Sequence, residues 1–274
     1  MNAYYNEIDP YCAQWLRNLI AEGLIAPGDV DDRNIQDVQP SDLLGYTQCH
    51  FFAGIAGWSL ALRLAGWSDD RECWTGSCPC QPLSCAGQRK GHADKRHLWP
   101  AFYRLIAEST PSIVFGEQIA SRDGREWLAG VRADLEALGY ACGAADLCSA
   151  GIGSPQIRQR LYRMADSSRL GSWPAEPGDS EAQAQIRRAH PTSSYRRFTD
   201  SFGNNYRIPE PEVPFVAHGF PNILDRIRAI GNAIDPNLGA SFIKAAMNDQ
   251  ALPLESRTRS GGANPRRSRS LHSR

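Results

Sequence analysis

Apolar and polar positions change their spacing several times along the 274-residue chain, and each change predicts an element. Between Tyr11 and Glu22, the residues Trp15, Leu16, Leu19 and Ile20 recur at helical spacing, which predicts an amphipathic helix packed on the main body. A polar stretch follows from Gly28 to Asp42. The pattern then alternates: Cys49 to Ala53 reads as a short buried strand, Trp58 to Ala65 and Leu98 to Glu108 as helices, and Ser112 to Phe115 as a strand. Asp123 to Leu138 predicts a helix with a polar start and a stop at Gly139, and the strand-like runs Tyr140 to Leu147 and Arg160 to Ala165 come next. Strands that alternate with helices predict an α/β fold, a mostly parallel sheet with helices on both faces, whose ligands sit at the carboxyl ends of the strands.

Past Asp166 the chain becomes rich in Ser, Pro, Gly and Arg up to Pro221, which predicts an irregular insert. Helical spacing returns from Pro236 to Met247, and the arginine-serine tail after Leu254 has the composition of a disordered segment. Five regions result: a helical extension over 1–47, a main domain over 48–165, the insert over 166–221, a returning segment over 222–250 and a basic tail over 251–274.

Composition narrows the class without naming it. A chain of this length buries a full core. No run approaches the ~20 apolar residues of a membrane span, and the start Met-Asn-Ala-Tyr-Tyr-Asn-Glu has neither the basic nor the apolar stretch of a secretory signal, so a cytoplasmic protein is expected. Eight cysteines in a long chain of this kind read as reduced thiols rather than a disulfide framework. The formal charge is zero, but arginines outnumber acids from Gln156 to Arg207, and Ser256 to Arg274 carries six arginines and no acid, a distribution suited to phosphate.

Five short runs carry candidate chemistry. Phe52-Ala53-Gly54-Ile55-Ala56-Gly57 lies between a strand and a helix, where glycine lets backbone approach a ligand and the helix start offers free amide donors. In the run from Gly76 to Gly87, Cys80 is flanked by Pro79 and Gln81 in a loop dense with Gly, Pro and Ser, the setting of a nucleophile. Zinc bound by Cys73, Cys78, Cys80 and Cys85 with His92 and His97 is the competing reading, and the spacing disfavours it because two cysteines one residue apart make a poor structural site. Glu117 follows an apolar strand and is expected at its carboxyl end. Arg158 and Arg160, in the run from Pro155 through Gln156 to Arg160, fall on one side of an extended strand and suit forked hydrogen bonds to phosphate or carboxylate. Gly231-Asn232-Ala233-Ile234-Asp235-Pro236 opens the last helix, with proline where a first turn tolerates it.

Together and in this order, over about Gln48 to Met247, these runs resemble the blocks of the DNA (cytosine-5)-methyltransferase family, and the compact chain resembles its short bacteriophage members. The resemblance implies a Rossmann-like fold that uses S-adenosylmethionine, with duplex DNA as partner, a restriction endonuclease as counterpart and a monomeric state. It implies Cys80 as the nucleophile, with Glu117, Arg158 and Arg160 beside it. Phe52, Ala53, Gly54, Ile55, Ala56, Gly57, Pro79 and Asn232 would bind the cofactor, and Gln81, Ser84 and Gln156 the DNA. The insert falls where the family recognises its target sequence.

The departures are specific. Ala56 replaces a glycine, Leu83 a phenylalanine and Gln118 an asparagine. Only Trp67 to Gly76 separates the first helix of the pattern from the Cys80 loop, where the family usually fits two strands and a helix that bring the carboxylates for the cofactor's ribose and adenine. Asp69, Asp70 and Glu72 are the substitutes at hand, and the fold is expected to be shortened there. A non-catalytic DNA-binding protein on this scaffold and an RNA cytosine methyltransferase are the alternatives.

Overall fold

The computed structural model describes residues 2–78, 98–154, 157–168, 195–199, 205–209 and 232–251. Its centre is a seven-stranded sheet in the order β2-β1-β3-β4-β5-β7-β6, built from β1 (Asn2–Asn6), β2 (Gly28–Asp31), β3 (Tyr46–Phe51), β4 (Cys73–Gly76), β5 (Ile113–Ile119), β6 (Ala141–Cys148) and β7 (Gln159–Asp166). Pairing is parallel from β2 through β5, and β7 runs antiparallel between β5 and β6. Among the described residues five helices cover it: α1 (Pro10–Ala21), α2 (Gly57–Ala65), α3 (Trp99–Ser109), α4 (Arg122–Ala137) and α5 (Pro236–Ala251). The α/β sheet with both faces covered is the fold expected from the alternating pattern. A two-stranded hairpin, β8 (Tyr195–Thr199) and β9 (Asn205–Pro209), lies within the region read as irregular.

Local chemistry explains the helix limits. Asp9 accepts hydrogen bonds from the amides of Tyr11 and Cys12 and Pro10 occupies the first turn, so α1 starts one residue before its apolar spacing does. Ser121 caps α4 through the amide of Gly124, and Asp235 caps α5 through the amides of Asn237 and Leu238. Gly66, at φ 82°, closes α2 in the left-handed conformation.

Alternation along the buried strands splits the core in two. On one face Phe51, Trp74 and Val114 pack with Phe102, Leu105, Trp127 and Val131 of α3 and α4. On the other, Phe115, Tyr162 and Met164 pack with Trp58, Leu62, Leu238 and Ile243 of α2 and α5. Full burial of each such side chain contributes roughly 1.5–3 kcal/mol.

The stretch read as a helical extension holds α1 but also two strands of the sheet. β1 lies between β2 and β3, so the unit β1-α1-β2 stands beside the strand that carries the glycine-bearing turn. Two strands and a helix are what the interval after α2 lacked. They are present, placed at the front of the chain instead of behind α2, and the sheet is not shortened.

Candidate functional site at the carboxyl edge

The chain leaves β1 and β3 in opposite directions across the sheet: β1 leads outward to β2, and β3 leads inward to β4 and β5. Such a reversal opens a crevice beyond the carboxyl ends of the two strands, the usual ligand position of an open α/β sheet. Phe52 to Gly57, Glu117, Arg158, Arg160 and Asn232 fall on this edge.

Glu7 leaves β1 there. Its Oε2 accepts the amide of Gly54 at 2.7 Å and its Oε1 the amide of Asp9 at 2.9 Å, while the amide of Ala53 bonds the carbonyl of Asn6 at 3.0 Å. Burial pushes the Glu7 carboxyl up from its ordinary value, and the two amide bonds pull it back. The turn over Phe52 to Gly57 bends sharply, with positive φ at Phe52, Gly54 and Ala56. A Cβ at Gly54 would meet only the carbonyl of Phe52 at 4.0 Å, so the backbone there faces open space. Gly57 answers a different need. A Cβ there would come within 2.7 Å of Ile234, so this glycine lets α2 and the α5 entrance pack together. Ala56 is buried against Tyr5 and Leu16, the side chain of Phe52 packs edge-on to Phe102, and Ala53 and Ile55 are half-buried. No side chain caps the start of α2.

Asp69, Asp70 and Glu72 lie at the other end of the sheet, because the α2–β4 connection enters β4 at its amino end. Asp69 forms an ion pair with Arg63 at 2.6 Å, and Asp70 accepts the hydroxyl of Ser68. None of the three faces the crevice, whereas Glu7 leaves β1 beside it. Sequence reasoning missed it, although Ala-Tyr-Tyr-Asn before Glu7 and the cap Asp9-Pro10 after it carry a strand-to-helix signal. We predict that Glu7→Ala weakens S-adenosylhomocysteine binding roughly 10- to 100-fold in a titration, while Asp69→Ala and Glu72→Ala leave it within about twofold.

Glu117 lies inside β5 and not beyond its end, because β7 pairs with β5 as far as Ile119. It is 8% exposed, and Arg160 Nε lies 2.7 Å from its Oε1. The contact is a nearly buried ion pair. Burial pushes the Glu117 carboxyl up, against the opposing charges of Arg160 and Arg158. Arg158 donates to the carbonyl of Ala233 at 2.6 Å, which ties the entrance of β7 to that of α5. Asn232, next to Ala233, is exposed. Arg160 thus contacts the Glu117 carboxylate, and Arg158 acts on it through its charge.

Ser77, also missed from the sequence, joins these parts. It follows β4, and its Oγ accepts both the Trp58 indole at 3.0 Å and the Glu117 amide at 3.1 Å. Pro79, Cys80, Gln81, Ser84 and Gln156 lie outside the described residues, as do Cys85, His92, His97 and most of the insert and tail. The six described cysteines are free thiols. No helix among the described residues is long and apolar enough to cross a membrane.

Residues 68–183 match the family described as C-5 cytosine-specific DNA methylase. The Type II methyltransferase M.AplI of Arthrospira platensis is 34% identical over 101 residues, 36% of this chain and 29% of that protein. The Type II methyltransferase M.HhaI of Haemophilus parahaemolyticus is 33% identical over 97 residues, 34% of this chain and 30% of that protein. The matched segments therefore span less than a third of these relatives. A solved structure described as a DNA modification methyltransferase encoded within an E. coli prophage aligns with 90% of this chain and 92% of its own at a TM-score of 0.50 and 14% identity, which shows a shared fold.

Proposed function

We propose that the chain, whose residues 68–183 match the family of C-5 cytosine-specific DNA methylases, transfers a methyl group to carbon 5 of a cytosine flipped out of duplex DNA. The observation that carries this reading is the buried Glu117, held between Arg160 and Arg158 and bonded through its backbone to Ser77, three residues before Cys80.

Carbon 5 of cytosine is a weak nucleophile. In the proposed reaction the Cys80 thiolate adds to carbon 6, which moves an electron pair onto carbon 5. Glu117, whose carboxyl burial pushes up from its ordinary value, donates in its protonated form to the ring nitrogen and so stabilises the electron-rich ring. Its second oxygen accepts from the exocyclic amine. Arg160 and Arg158 hold Glu117 and steady the neighbouring phosphate. After methyl transfer, loss of the proton from carbon 5 expels the thiolate and restores the ring. A base within a stacked duplex cannot reach a carboxylate this deeply set, so the cytosine must leave the stack.

The crevice fits the cofactor that this chemistry needs. Glu7 presents a carboxylate beside the open backbone of Gly54 and the uncapped start of α2, an arrangement suited to ribose hydroxyls and a charged amino-acid end. S-adenosylmethionine supplies an electrophilic methyl group when bound. The non-catalytic alternative rested on the missing strands, and β1-α1-β2 supplies them.

The test is incubation of the full chain with methyl-labelled S-adenosylmethionine and duplex DNA of varied sequence, followed by bisulfite sequencing. The expected product is 5-methylcytosine within a defined sequence context. No label in DNA, or label in transfer RNA alone, overturns the reading.

A further inference from the structure

Ser77 carries an uncommitted proton. A serine hydroxyl has one donor and two acceptor lone pairs. Here the Trp58 indole and the Glu117 amide both donate to Oγ, at 3.0 and 3.1 Å, so both lone pairs are in use. The hydroxyl hydrogen has no acceptor among the described residues. A half-buried hydroxyl in this state can only donate, and the groups around it decide to what. Trp58 is the second residue of α2, a helix whose first amides no side chain caps. The indole that bonds Ser77 thus comes from the first turn of α2, whose partial positive charge favours an anion. An anionic acceptor suits such a place, and a cation or an apolar group does not.

Building on the methyltransferase reading, we infer that Ser77 is a ligand-binding residue that donates its hydroxyl hydrogen to the carboxylate of the cofactor's amino-acid moiety. The same atom accepts the backbone amide of Glu117 and the indole of the cofactor helix. One hydroxyl thereby registers the methyl donor against the carboxylate that receives the target base. Ser77 also begins the segment that leads to Cys80, three residues on.

Two ligands separate this role from a purely structural one. S-adenosylhomocysteine has the amino-acid carboxylate, and 5′-methylthioadenosine lacks the whole amino-acid arm. Calorimetric titration of wild type, Ser77→Ala and Ser77→Thr should show Ser77→Ala weakening S-adenosylhomocysteine about tenfold, as expected for a lost bond to a charged group, with 5′-methylthioadenosine changed less than about twofold. Ser77→Thr keeps the donor and should restore most of the affinity. Equal loss for both ligands would mean that Ser77 only supports Trp58 and Glu117, and unchanged binding of both would remove any contact; either result overturns the inference. Failure of the wild-type chain to bind S-adenosylhomocysteine would instead overturn the methyltransferase reading itself.

Discussion

Replacing Cys80 with serine is expected to lower methyl transfer by at least ~10⁴-fold and to remove the covalent adduct formed on duplex DNA in which the target base is 5-fluorocytosine. Fluorine at carbon 5 cannot leave as a proton does, so the thiolate that has added to carbon 6 stays attached and the complex can be isolated. A serine hydroxyl keeps the size of the side chain but ionises far above neutral pH and cannot replace a thiolate. The thiols of β4 and its exit are poor substitutes. Cys78 is buried and pushed up to about 12, and Cys73, wholly buried in β4, is pushed higher still. Cys142, on the α4 side of the sheet, is pushed up to about 11. Adduct detected after denaturing electrophoresis with wild type and absent with Cys80→Ser is the expected pair of results. Adduct that survives the substitution would reassign the nucleophile.

What could be read in advance follows from where each signal resides. α2, α3 and α4 announce themselves through helical apolar spacing, and for α4 a polar start and the stop at Gly139 agree with it. Glu117, Arg158 and Arg160 are recognisable because their blocks are short and local, although the sequence places Glu117 beyond a strand that in fact continues to Ile119. That strand continues because β7 pairs with it, a long-range event with no trace in the run itself.

The cofactor side was legible only in part, for two physical reasons. β2 is Gly-Asp-Val-Asp, four residues with one apolar side chain, held by hydrogen bonds to β1 rather than by burial, so periodicity cannot show it. The order of units is the second reason. β1-α1-β2 belongs beside β3 in space yet precedes it in the chain, so reading forward from α2 leaves a gap and draws attention to Asp69, Asp70 and Glu72. Those acids follow the right helix but enter β4 from the wrong edge.

Glu117 is where sequence, burial and chemistry meet, and it has the second largest expected effect. Glu117→Ala should lower kcat by roughly 10²- to 10⁴-fold with a much smaller change in cofactor affinity, because it removes a group that acts on the activated ring. Glu117→Gln, which keeps a donor and an acceptor, should recover part of that loss. The pH dependence has a fixed sign. Burial raises the folded-state value of Glu117 above the ordinary carboxylate range, and Arg160 and Arg158 only partly oppose it. Protonated Glu117 therefore persists to higher pH than an exposed glutamate, and kcat should fall as pH rises through the raised value, a limb that Glu117→Gln lacks. Stability follows the same linkage. The raised value contributes fully below the ordinary carboxylate pKa and is lost as pH rises through the folded-state one. The Tm of the wild type relative to Glu117→Gln should therefore decline across that window. A kcat profile with the same limb in both proteins would mean that another group carries the proton, and a flat Tm difference would mean that the two arginines hold Glu117 ionised throughout.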